Sequence, residues 1–373
     1  PRCQEPQAAQ GTCPAASQIG HVVVQAGPGS SPLTIPQPGA PEAPIYLTGG
    51  YAGAPFGLSI RVPVIAGPFD LGSVVTRAAI GVDPHSGQIT IATDPLPTIL
   101  DGVPTDIRTA YAVIDRQGFM FNPTNCESSV VEGSVTGVEG AVAPISSRFQ
   151  VGGCRALSFR PSFSVSTQAN TSKKQGASLT VKIGYPKGAQ ANIRGVAVSL
   201  PKQLPSRLTT IQQACPAATF AANPASCPAG SNIGTATATT PILADPVSGP
   251  VYLVSHGGAA FPDVVLVLQG EGVTLDVVGS IDIKHNITSS TFASIPDAPI
   301  SSFQLTLPEG PHSGLAAVIP AKAKGNMCGQ KLTMPTTLTG QNGAIVKQTT
   351  KIAVTGCGHA KKKSKPKHRK KKK

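Results

Sequence analysis

Tryptophan is absent from the 373-residue chain, aromatic residues make up only 4% of it and charged residues 13%. That leaves few flat apolar faces for stacking on sugar rings or nucleobases. No apolar run approaches the ~18 residues of a membrane-spanning helix; the best is Val264–Leu268 with its flanks. Coiled coils and helical solenoids are excluded by the same composition, because 36 prolines would break their helices. The 40 glycines show no period of three, which excludes collagen. H-E-x-x-H, G-x-S-x-G and Walker A patterns are also missing. Gly270-Glu271-Gly272-Val273-Thr274-Leu275 opens like a dinucleotide fingerprint, but it ends in Leu inside a β pattern and reads as a hairpin turn.

What is present is alternation. At 40% hydrophobic the chain can bury sizeable cores. Apolar residues recur at period two in Leu58–Ile65, Val74–Val82, Ala110–Ile114, Leu179–Tyr185, Val196–Leu200, Val273–Ile283 and Phe303–Leu307. Gly67-Pro68, Gly249-Pro250, Gly310-Pro311 and Asn342-Gly343 punctuate these runs as turns. Helix is expected only as a turn or two near Ile211–Ala222. Short strands at this spacing predict an all-β protein of tandem, immunoglobulin-like β-sandwich modules.

There are eight cysteines and no C-x-x-C, so a zinc framework fits poorly and disulfides in an oxidising compartment fit well. The chain also repeats itself. Cys13-Pro14-Ala15-Ala16-Ser17-Gln18-Ile19-Gly20 returns as Cys227-Pro228-Ala229-Gly230-Ser231-Asn232-Ile233-Gly234, and Pro44-Ile45-Tyr46-Leu47 returns as Pro250-Val251-Tyr252-Leu253. Ile89-Thr90 matches Ile287-Thr288, and the Cys126–Cys154 interval matches Cys328–Cys357. Equivalent cysteines should pair equivalently, which gives Cys3–Cys13, Cys126–Cys154, Cys215–Cys227 and Cys328–Cys357. The expected layout is a first copy over 1–158, a small immunoglobulin-like module over 159–203 opening the second copy, a second-copy sandwich over 204–357 and a disordered tail over 358–373. Nothing comparable to 159–214 precedes Cys3, so the repeat phase predicts that the chain starts inside a copy, with any signal peptide upstream; the alternative is that 159–214 form a separate inserted module.

The formal net charge is +13. Ten of those charges sit in the tail as Lys361, Lys362, Lys363, Lys365, Lys367, Arg369, Lys370, Lys371, Lys372 and Lys373; removing them leaves +3 on the other 360 residues. Such a run predicts disorder and electrostatic attraction to a dense polyanion. Among the scattered histidines, His256 precedes Asp263 and could form half of a site, though a surface-loop histidine is the simpler reading. His85 reads as part of a β-turn. Asp94, Asp101 and Asp106 could ligate calcium, but the second copy offers only Asp297 in their place. Asn170-Thr171-Ser172 and Asn286-Ile287-Thr288 match the N-glycosylation acceptor pattern. Tyr46 and Tyr252 occupy matching repeat positions and are expected in the core. Tyr51 and Tyr111 lack counterparts and are the better candidates for a glycan platform. No catalytic residue, cofactor or metal is expected.

Leu200-Pro201-Lys202-Gln203-Leu204-Pro205, Cys227–Gly234, Gly249-Pro250-Val251-Tyr252-Leu253, Pro299–Phe303 and Leu307–Ser313 resemble the repeat unit of large secreted, largely uncharacterised proteins of high-GC actinobacteria. The resemblance covers residues 3–357. It implies an extracellular or cell-surface location and carries no catalytic or ligand residues. The expected function is a non-catalytic structural repeat protein whose tail associates with anionic envelope polymers. The alternatives are an extracellular glycan- or ligand-binding module and nonspecific nucleic-acid binding through the tail. A membrane span and specific nucleic-acid binding are not expected.

Overall fold

The structure, a computed structural model, describes residues 1–258, 261–320, 323 and 326–357. The expected basic tail lies outside the described residues.

Strands dominate. Those of the first part are β1 (Gln18–Ala26), β2 (Leu33–Ile35), β3 (Ala43–Thr48), β4 (Phe56–Ala66), β5 (Phe69–Val82), β6 (Ile89–Thr93), β7 (Ile99–Leu100), β8 (Val103–Pro104), β9 (Thr109–Ile114), β10 (Ser128–Thr136) and β11 (Val142–Gln150). The second part continues with β12 (Ser162–Gln168), β13 (Leu179–Gly184), β14 (Ile193–Ser199), β15 (Cys215–Pro216), β16 (Asn232–Thr239) and β17 (Val247–Ser255). It ends with β18 (Asp263–Gly270), β19 (Val273–Lys284), β20 (Ile287–Phe292), β21 (Ser302–Leu307), β22 (Thr333–Gly340) and β23 (Ile345–Thr355). Helix is confined to short pieces: α1 (Gln7–Gln10), α2 (Leu208–Ile211), α3 (Ala217–Ala222) and single 3-10 turns.

In place of the expected sandwiches, the second part is a closed barrel of 11 strands. Its order is β17-β16-β21-β13-β12-β23-β22-β14-β20-β19-β18, and the pairing of β18 back onto β17 completes the ring. The parallel pairing of β12 with β23, Val165 opposite Ile352, brings strands nearly two hundred residues apart side by side. The segment 159–203 is therefore not a separate sandwich in space: its three strands are staves of the same barrel.

The first part is a half-barrel, β9-β1-β3-β4-β5-β6, with β2 alongside β1. Among the described residues, hairpin β10–β11 pairs with no other strand. The pairing order of the half-barrel is the order β21-β16-β17-β18-β19-β20 of the closed barrel. The local geometry corresponds as well. Gln18 opposes Tyr46 and, after a bulge, Gly20 opposes Ile45; Asn232 opposes Tyr252 and, after a bulge, Gly234 opposes Val251. Cys3 bridges Thr48 in parallel, as Cys215 does Val254. Counting through the registers aligns Ile89 with Thr288, one residue from the match read in the sequence.

Turn chemistry explains the hairpins. His285 and Asn286, at φ 52° and 61°, form the two-residue link between β19 and β20, and Glu271-Gly272 links β18 to β19. Gly249-Pro250 is the exception: it lies within β17, where pairing with β18 skips from Ser248–Gln269 to Val251–Leu266. Proline has no N–H to offer a ladder, so it sits at that interruption. At Gly249 a Cβ would stand 2.0 Å from the Val267 carbonyl oxygen.

Candidate functional site

Alternation on each stave sends one set of side chains into the barrel. Leu179, Val181, Ile183 and Tyr185 of the β13 run all line the interior, as expected from their spacing, and Val264, Leu266 and Leu268 face them from β18. They enclose an apolar cavity of about 170 Å³. Its volume is in the range of an engineered apolar cavity of about 150 Å³ that stays dry and admits benzene. β18 reads as a continuous apolar run because its outer face is covered too. Val265 and Val267 pack with Tyr252 and Val254 under α3, whose Phe220 ring meets Tyr252 edge-on at 5.8 Å.

Tyr185 brings a phenol hydroxyl to the cavity wall, which also holds Ser206, Thr288 and Ser290. Its hydroxyl is buried and, among the described residues, has no hydrogen-bond partner. Burial pushes its pKa up. Reading Tyr185 as one more apolar residue of an alternating strand conceals this, and no sequence signal marks it.

The four disulfides are Cys3–Cys13, Cys126–Cys154, Cys215–Cys227 and Cys328–Cys357, the pairs expected from the repeat. Cys3 and Cys13 pack with Ala8 beneath Tyr46, which is half-buried, while Tyr252 is buried beside Cys227. The asparagines of both glycosylation patterns are exposed, but Thr288 is buried, and its hydroxyl accepts the Ser206 N–H at 3.0 Å.

Other candidates fall into small polar contacts. His256 Nε2 lies 3.5 Å from Asp263. Asp94 accepts a hydrogen bond from the Tyr51 hydroxyl at 2.5 Å, and that bond is the main reason the Tyr51 pKa is raised. The Tyr51 ring lies beneath the Arg77 guanidinium at 4.2 Å, and Arg77 pairs with Glu5 at 2.7 Å. Tyr51 is thus engaged in this network, whereas Tyr111 is exposed on the outer side of β9. Asp94, Asp101 and Asp106 do not converge. Among the described residues, no group of three or more His, Cys, Asp or Glu could hold a metal ion.

The contacts that join the first part to the barrel include an ion pair of Arg2 with Glu271 at 3.1 Å and two polar clusters. His85, in a turn organised by Asp83, stands 4.0 Å from Asp276, whose backbone N–H donates to the Pro84 carbonyl. Asp276 Oδ1 is buried without a partner among the described residues, and burial raises its pKa against the lowering effect of His85. Asp297, the acid the second copy offers in place of Asp94, Asp101 and Asp106, gathers donors from Thr124, Asn125 and Asn192.

No helix among the described residues is long and apolar enough to cross a membrane. Comparison of the chain with protein-family models, with curated proteins and with solved structures gives no match.

Proposed function

We propose that this is a non-catalytic structural protein of the extracellular or cell-surface kind, built from disulfide-stapled β units that repeat in tandem, with its basic tail holding an anionic envelope polymer. The observation that carries the reading is the placement of the staples. Cys3–Cys13 and Cys215–Cys227 sit at corresponding places against the half-barrel and the barrel, and Cys126–Cys154 and Cys328–Cys357 close the bases of corresponding hairpins. Covalent stapling of this density suits an oxidising environment. The resemblance to secreted actinobacterial repeats agrees with it.

The test is binding of the full chain, and of the chain lacking 361–373, to isolated cell walls at low and high salt. The proposal expects binding that weakens with salt and falls on deletion. Equal binding by both forms at every salt concentration overturns the tail's role. Thiols found reduced in the native host overturn the compartment.

A second reading, a ligand-binding module, is favoured by the barrel cavity, and it points to an apolar ligand rather than a glycan. Xenon or benzene should shift the NMR signals of Leu266 and Leu268 and raise the unfolding midpoint. Unchanged signals at saturating xenon remove this reading.

A further inference from the structure

The closed barrel shows what completes such a ring. In it, β14 pairs with β20 on one side and β22 on the other, β12 runs parallel to β23, and β13 connects β12 to β21. The first part has counterparts of β20, β21, β22 and β23 in β6, β9, β10 and β11, but none of β12, β13 or β14 among the described residues. Among the described residues, every edge those three strands would occupy is unpaired: β6 beyond β5, β9 beyond β1, and both outer edges of the hairpin.

The side chains around this gap have the character of an interior. Ile89 and Ile91 are 64% and 59% exposed, yet their registers match Thr288 and Ser290, which line the closed cavity. On the hairpin, Val131 opposes Ser147 and Val135 opposes Ala143, as Met334 opposes Thr350 and Leu338 opposes Val346. Val131 and Val135 are 62% and 56% exposed, whereas Met334 and Leu338 are fully buried. Ile145 and Phe149 share the uncovered hairpin face by alternation. Of the large apolar side chains exposed among the described residues, all but Leu208, Ile242, Val278, Val318 and Ile345 lie in residues 1–150. Long unpaired edges with apolar faces are templates for added strands.

We propose that this opening is the docking site for three β-strands with the alternating pattern of Ser162–Ser199, carried on polypeptide that leads into the Cys3–Cys13 staple. Chain order selects this occupant. In the closed barrel β14 precedes Cys215, and Cys215 enters parallel to β17; Cys3 makes the same parallel contact with Thr48. A segment reaching Cys3 by that route lies between β6 and β10. A second copy of the chain is a poorer occupant, because its own Ser162–Ser199 strands are committed to its barrel on both edges. The inference does not depend on the surface-protein reading, and loss of tail binding leaves it intact.

The test fuses an additional copy of residues 159–212 directly ahead of Pro1 in the full chain, so that Cys3 receives the connection Cys215 has. A control fusion carries Val165→Asp, Val181→Asp and Val198→Asp in the added copy only. Amide hydrogen exchange of β6, β9 and the β10–β11 hairpin is read with disulfides intact, and Val264–Leu268 reports that the resident barrel is folded. Exchange in the three elements should slow by about a hundredfold or more in the first fusion and stay at the parent rate in the control. Titration of the parent chain with a separate 159–203 polypeptide, followed by native mass spectrometry, should give a one-to-one complex and supplies the readout if the fusion misfolds. Parent-rate exchange in the fusion with no complex in trans overturns the proposal. So does a parent chain that is dimeric with these edges already protected, which would make a second copy the occupant.

Discussion

Asp297 and Thr124 are joined twice: the carboxylate accepts one hydrogen bond from the Thr124 backbone N–H and one from its hydroxyl, each at 2.7 Å. Asn125 adds its backbone N–H at 3.0 Å and its side-chain amide at 2.8 Å, and Asn192 adds its amide at 2.8 Å. One carboxylate therefore ties the segment ahead of Cys126 to the mouth of the barrel. Asp297→Ala should loosen this junction by about 1.5–3 kcal/mol, the worth of a hydrogen bond to a charged group. Faster amide exchange at Thr124 and Asn125, with exchange in β18 unchanged, is the expected signature; equal destabilisation of both would mean that Asp297 supports the barrel itself.

The staples should open in an order set by access. Cys3, Cys154 and Cys215 are buried, whereas Cys357 is exposed. Because exchange requires a thiolate to reach a sulfur, Cys328–Cys357 should be reduced first and Cys215–Cys227 among the last. Timed alkylation with peptide mass mapping reads the order. Simultaneous loss of all four pairs would show that global unfolding, and not local access, controls reduction.

Asp276 should make stability depend on pH. Burial raises its folded-state pKa. Below about pH 4 the carboxyl is protonated in both folded and unfolded chains and costs nothing. As pH rises through the folded-state value, a charge must be kept in a poorly solvated place, and stability is withdrawn. Asp276→Asn should therefore stabilise by about 1 kcal/mol at pH 7.5 and leave stability unchanged at pH 3. Urea unfolding at the two pH values decides this, and equal effects at both would contradict it.

Gly20 and Gly234 each admit the carbonyl of a neighbouring strand. A Cβ would stand 1.9 Å from the Val113 oxygen at Gly20 and 2.2 Å from the Thr306 oxygen at Gly234. Backbone cannot yield as a flexible side chain does, so Gly234→Ala should cost about 3 kcal/mol or more by overpacking and expose amides of β16 and β21. Gly20→Ala should do the same to β1 and β9 without touching the barrel. A cost below about 1 kcal/mol at both positions would show that the strands separate freely.

Tyr185→Phe removes a hydroxyl that has no partner inside the barrel. Relief of an unpaired buried polar group should raise stability by about 1 kcal/mol, seen as a higher denaturation midpoint. A loss of that size would reveal a hydrogen bond formed in solution.

By itself the sequence determined where the strands run and how the sulfurs pair. Both are local or repetitive properties: alternation at period two places β13, β19 and β21, and recurrence of the cysteine pattern selects one connectivity from many. Tertiary structure alone decided barrel against sandwich. Alternation is identical in either architecture, because each buries one face of every strand. Closure depends on partners far apart in the chain, Val165 with Ile352 and Val196 with Leu338, and no local pattern encodes which distant edge a strand will choose. The same reason hid Tyr185 and Asp276. Their side chains are ordinary for their strands, and only the walls assembled around them made one an unpartnered hydroxyl and the other a buried carboxyl.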